Sequence, residues 1–148
     1  MATSQESYEH GEHNEAACNL LALNQNFPDW TITTAFYAAL HFVTAKIFPF
    51  NHPIKEQKPL NFKNIEEWQK FKNYGSAKRH ELLKDLVARY CDPVADQYEW
   101  LLSSSWNARY HHHQHPKELV NKAIAYMKQI KTHCTPTQEK KGTKKSST

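Results

Sequence analysis

Ile32, Phe36, Leu40, Val43 and Ile47 recur at the three- and four-residue spacing that places them on one side of a helix. A stripe of that length has to be buried against other elements, and it constrains the fold more than any other stretch. Alternating apolar-polar segments are scarce elsewhere and glycine occurs only three times in 148 residues, which argues against an all-β protein. The expected fold class is therefore all-α, an up-and-down bundle of four to five helices. At this length one domain buries roughly two thirds of the surface its unfolded form exposes, so stability requires neither a disulfide nor a metal.

Residues 1–11 read as a flexible N-terminus, 12–133 as the bundle and 134–148 as a disordered basic tail. A first helix is predicted from Glu12 to Asn24, with Ala17, Leu20 and Leu21 on its inner face. After the Phe27-Pro28 break, Asp29 is the expected N-cap of the striped helix. Phe48 to Phe62, with prolines at 49, 53 and 59, reads as a long loop, because proline fixes φ and removes a backbone donor. Asn64 and Glu67 have capping-box spacing for a short helix through Trp68 and Phe71, and Tyr74-Gly75-Ser76 is the next break. Another helix then turns Leu82, Leu83, Leu86, Val87 and Tyr90 inward. Asp92 before Pro93 predicts the capped start of a helix with Val94, Tyr98, Leu101, Ser105 and Ala108 on one side, ending near Arg109. Tyr110 to His115 follows as a loop. Pro116 is placed to open a last helix with Leu119, Val120, Ala123, Ile124, Met127 and Ile130 inside.

The net charge is +4, but Lys140, Lys141, Lys144 and Lys145 in the tail face only Glu139, which leaves the body nearly neutral. Charge alone is thus a weak argument for a nucleic-acid partner. Cys18, Cys91 and Cys134 are an odd number at no ligand-like spacing, so a reducing, cytoplasmic setting is expected. The longest apolar stretch, around Ala35 to Phe42, falls short of a membrane span, and no membrane association is expected.

Two groups of side chains have the composition of a site. Arg109 is followed by His111, His112, His113 and His115. Arginine offers a permanently charged planar fork suited to a phosphate, and histidine titrates near neutrality, so the set is suited to phosphodiester chemistry. The plainer alternative is that Arg109 pairs near a helix end and the histidines solvate a loop. A metal held by these histidines is not expected, because neighbours in a loop rarely point at one centre and no carboxylate or cysteine lies close in sequence. The second group starts from Tyr37 and His41, four apart on one helix face. With His52, Arg79 and His80 they form a candidate secondary pocket, against the alternative of a hydrogen-bonded core histidine. Trp106, one turn before Arg109, is the tryptophan expected to flank a site; Trp30, Trp68 and Trp100 read as core or interface.

The run Asp29-Trp30-Thr31-Ile32-Thr33-Thr34-Ala35-Phe36-Tyr37-Ala38-Ala39-Leu40-His41, followed by His52-Pro53, resembles the second helix of a bacterial HEPN-like group. Ser76 to Leu83, and Tyr98 through Ser105-Trp106-Asn107-Ala108-Arg109-Tyr110, are similar to its later helices, so that the likeness spans roughly residues 12 to 132. Active HEPN ribonucleases carry Arg, four to six residues, then His, and that spacing selects Arg109 and His115. The resemblance implies a homodimer in which two such motifs meet and cleave RNA without metal or cofactor. Arg109 would orient the phosphate, and His115 would move the proton from the ribose 2′-hydroxyl, with His111 and His113 as substitutes. The competing implication is a non-catalytic HEPN module that dimerises, or binds a nucleotide or a partner protein, in a defence, toxin-antitoxin or stress system. Tyr110, where active members commonly carry a polar residue, favours that second class, as does the nearly neutral body.

Overall fold

Thr3 starts the first helix. Its hydroxyl accepts from the Glu6 amide at 3.1 Å, and the Glu6 carboxylate accepts from the Thr3 amide at 2.7 Å, a reciprocal capping box. In the computed structural model, which describes residues 3–75 and 78–136, this helix, α1, spans Ser4–Ala22. Residues 4–11 are therefore helix and not a flexible terminus, and the start expected at Glu12 moves back to Ser4. Its buried face is Ser7, Gly11 and Cys18, while Leu20 is 70% exposed and Ala17 and Leu21 are half-buried. Side-chain size decided this face: a Cβ on Gly11 would lie 2.6 Å from Phe42 Cε1, so small residues are what allow α1 to close on its neighbour.

That neighbour is α2, Pro28–Ile47, the helix around which the rest is arranged. Pro28 occupies its first position and Phe27 the cap, with no side-chain cap bond, so Asp29 lies in the first turn and is not the cap expected. Ile32, Phe36, Val43 and Ile47 are buried and Leu40 is half-buried, but Thr31, Thr33, Ala35, Ala38, Ala39, Phe42 and Ala45 are buried too. A helix covered on most sides needs its polar groups satisfied internally. The hydroxyls of Thr31, Thr33 and Thr44 do so by donating to the carbonyls four residues back, at 2.7–2.9 Å.

The predicted loop after α2 contains a two-stranded antiparallel hairpin, β1 (Phe50–His52) and β2 (Leu60–Phe62), with Phe50 opposite Phe62. Phe50 and Phe62 pack edgewise on Trp68 of α3 (Ile65–Phe71), which folds the proline-rich stretch onto an aromatic cluster. Asn64 caps α3 by accepting from the Glu67 amide at 2.9 Å, and the Glu67 carboxylate accepts from the Lys63 amide at 2.8 Å. α4, Arg79–Tyr90, buries Leu82, Leu83, Leu86 and Val87, with Tyr90 at its exposed edge. A 3₁₀ turn at Asp92–Val94 precedes α5, Ala95–Tyr110, and Asp92 makes no side-chain cap bond, so the capped start expected there is replaced by a tighter turn. Tyr98, Leu101, Ser105 and Ala108 face the core, as does Val94 before them.

Pro116 caps α6, Lys117–Cys134, which buries Ala123, Met127, Ile130 and Cys134. Leu119, expected inside, is 38% exposed. Cys134 belongs to the last turn of this buried face, so the body extends beyond the expected boundary at 133; residues 137–148 of the predicted tail lie outside the described residues. Lys131 of α6 donates to the Glu15 carboxylate of α1 at 2.7 Å and lies 3.9 Å from Glu12. Contacts of Gly11 with Phe42, Lys131 with Glu15, and Gln97 with Gln129 run α1 against α2, α1 against α6 and α5 against α6. The all-helical bundle is thus observed, with six α-helices and a small hairpin among the described residues where four to five helices were expected. No helix among them is long and apolar enough to cross a membrane.

Candidate functional site

Arg109 sits in the last turn of α5, where a cation meets the negative end of the helix dipole. Its Nε donates to the Ser105 carbonyl at 3.2 Å and its Nη1 to the Tyr37 hydroxyl of α2 at 2.7 Å. The guanidinium carbon lies 5.4 Å from the Tyr37 ring centre, 5.9 Å from that of Trp106 and 5.3 Å from that of Tyr110, so three aromatic rings wall the cation. Nη2 is buried and has no hydrogen-bond partner among the described residues. Trp106 and Tyr110 are one turn apart with ring centres at 4.6 Å, and each is more than half exposed. They form an open aromatic shelf backed by a charge.

His115 does not join this group. Its Nε2 donates to the His112 carbonyl at 2.7 Å, which folds the loop on itself, and its ring lines a different cavity of about 300 Å³ with Pro28, Thr31 and Val120. His111, His112 and His113 are exposed on the loop leaving α5. Among the described residues none of these histidines hydrogen-bonds to Arg109, which is held by Ser105 and Tyr37. Among the described residues no group of three or more His, Cys, Asp or Glu side chains is placed to hold a metal ion. No protein-family model, curated protein or solved structure matches the chain.

The secondary pocket is partly assembled. A cleft of about 290 Å³ is lined by His41, Arg79 and His80, but its walls include neither Tyr37 nor His52. Tyr37 is drawn to Arg109 instead of pairing with His41, and His52 packs edgewise on Phe62, Trp68 and Phe71 in the aromatic cluster. The partner of His41 is His10 of α1, whose ring stacks on it with centres 3.7 Å apart. Burial and the neighbouring His10 push the His41 imidazole down to about 4. His80 is lowered as well, by burial first and then by the charges of Arg109 and Arg79. His80 thus stands between the two sites, touching Phe36 on one side and lining the cleft on the other. Arg79 donates from Nε to Gln69 at 3.2 Å and lies 3.6 Å from Glu66.

His10 lies in the segment whose composition reads as a flexible N-terminus, so it is not included in the pocket expected from the sequence. The signal was present: Thr3 and Glu6 stand at capping-box spacing, and a helix begun there carries His10 onto the face opposite His41.

Proposed function

We propose that the protein is an RNA-binding helical module of HEPN type, engaging single-stranded RNA at the end of α5. The observation that carries this reading is the exposed Trp106–Tyr110 shelf with the Arg109 guanidinium walled in behind it. Bases stack on exposed rings whatever their sequence, each stacked base contributing about 1–3 kcal/mol. Because Arg109 is tied by Nε to Ser105 and by Nη1 to Tyr37, with Nη2 buried, its role here is to hold and polarise the rings, and direct phosphate contact falls to the exposed His111, His112 and His113. With a nearly neutral body, affinity depends on stacking more than on counterion release, so binding should weaken only shallowly with added salt. Trp106→Ala and Tyr110→Ala should each weaken binding of a short unpaired oligoribonucleotide by roughly ten- to hundredfold. Unchanged affinity in both variants sinks the proposal.

A second reading is supported by the unpartnered Nη2 of Arg109: a homodimer in which Arg109 of each protomer and His115, His111 or His113 form a composite, metal-independent endoribonuclease site. This form of the proposal places the protein in the cytoplasm, within a defence, toxin-antitoxin or stress system, with or without a partner protein. Incubation with mixed cellular RNA in excess EDTA tests it. Cleavage leaving 2′,3′-cyclic phosphate ends, abolished by Arg109→Ala and by His115→Ala in chains that still dimerise, supports catalysis. A stable dimer without cleavage leaves the binding module as the function.

A further inference from the structure

We propose that the cleft between α1, α2, α3 and α4 is a binding site for a small phosphate monoester, separate from the aromatic shelf. Its walls divide by chemistry. Leu40, Phe48, Ile65 and Leu83 are apolar, and His10, His41, Lys63, Arg79 and His80 supply nitrogen donors from both sides, with Glu66 the one carboxylate among the lining residues. A cavity of about 290 Å³ lies at the lower end of the range for small-molecule pockets, enough for a phosphoryl group and a compact organic remainder.

The charged groups are poorly matched as they stand. Glu66 meets Arg79 only at 3.6 Å, through exposed side chains, and Lys63 appears in no ion pair with a described residue. His10 of α1 and His41 of α2 are stacked face to face at 3.7 Å, an arrangement that penalises protonating His41. From α4 the site is faced by Arg79 and His80, from α3 by Glu66, and from behind His80 by Arg109 of α5. Arg79 and Arg109 are cations, and burial with neighbouring positive charge holds His41 and His80 below the usual histidine range. A dianion inserted among them removes the reason for that depression, so binding and imidazole protonation are linked. Phosphate fits better than a carboxylate, because its three terminal oxygens accept from imidazoles and a guanidinium on three different helices at once.

The linkage makes the site measurable on the full chain with inorganic phosphate and phenyl phosphate as probes. Titration calorimetry at pH 7 in two buffers of different ionisation enthalpy should show saturable binding with proton uptake, and affinity should rise as pH falls from 8 to 6. Phenyl phosphate should bind tighter than inorganic phosphate, because its ring meets the apolar wall. His10→Gln, an exposed position that does not threaten the fold, and Arg79→Gln should each weaken binding roughly tenfold. Lys122→Gln, which removes a distant surface charge beside Trp100, should leave it unchanged. Absence of saturable binding by either probe at millimolar concentration overturns the proposal. So does binding that His10→Gln and Arg79→Gln leave intact, or that Lys122→Gln weakens as much, since either would mark diffuse attraction to surface charge. None of these readouts involves RNA, so the proposal stands or falls independently of the shelf.

Discussion

A methyl group at position 11 would lie 2.6 and 2.7 Å from two carbons of Phe42, a ring with no exposed surface and Tyr8 5.2 Å away on another side. In an isolated helix Gly11→Ala would add about 1 kcal/mol of stability, but here the methyl must push α1 off α2. Overpacking of that kind costs about 1–3 kcal/mol, so the expected outcome is a lower urea midpoint for Gly11→Ala, and an unchanged or higher one would show that Phe42 can yield. Tyr98 poses the opposite case. It is fully buried, its hydroxyl has no hydrogen-bond partner among the described residues, and burial pushes its ionisation far above the usual range. Removing an unsatisfied buried hydroxyl relieves a desolvation penalty, so Tyr98→Phe should be neutral or raise the melting temperature. A loss of 2 kcal/mol or more, on the order of a broken buried hydrogen bond, would reveal a partner for that oxygen.

Helices α1 and α6 are joined across their faces by one lysine. Lys131 donates to Glu15, whose side chain is only 14% exposed, and it also lies 5.7 Å from the Phe42 ring centre, so it fastens α6 to the seam where α1 meets α2. The hydrogen bond to Glu15 raises the lysine above its ordinary range, which marks a pair that favours the charged form. Partial burial makes this bridge worth more than an open surface pair, about 1–2 kcal/mol. Lys131→Gln should therefore destabilise by that order, and a double-mutant cycle with Glu15→Gln should return most of the loss as coupling energy. Additive losses would mean that the two side chains act independently. The aromatic hairpin is a different kind of element. Its strands are only three residues each, too short to persist alone, and they hold their place because Phe50 and Phe62 rest on Trp68.

Across the whole molecule, stability should depend on acid through the cleft histidines. The folded chain lowers His41 to about 4 and depresses His80, while the unfolded chain protonates both near 6.5. Between those values unfolding takes up protons, so stability is full above pH 6.5 and is lost as pH falls toward 4. Partial exposure of His41 reduces its share to on the order of 2 kcal/mol. Chemical denaturation at intervals from pH 7.5 to 4.5 should show this slope, and His41→Gln should flatten it. A slope that the substitution leaves unchanged would place the acid sensitivity elsewhere. Millimolar phosphate, if it occupies the cleft, should lift the stability of the parent most at the acid end of this window.

The residues themselves determined the helices, because each carries its own local information: the stripe from Ile32 to Ile47, the inward leucines of α4, the run from Val94 to Ala108, and Asn64 at the start of α3. They also singled out Arg109, His41, Arg79 and His80 as chemically able. What they left open was which face of α1 is buried and which pairs meet, since those follow from how closely two backbones approach. Leu20 was expected inside and Gly11 passed unnoticed, because hydrophobicity is a property of one residue and interhelical distance is a property of two helices. The hairpin inside the proline-rich stretch was hidden for the same reason: three-residue strands have almost no local signal, and their stability comes from rings elsewhere in the chain. Only the tertiary structure decided that Tyr37 turns to Arg109, that His115 closes on its own loop, and that His10 completes the cleft with His41.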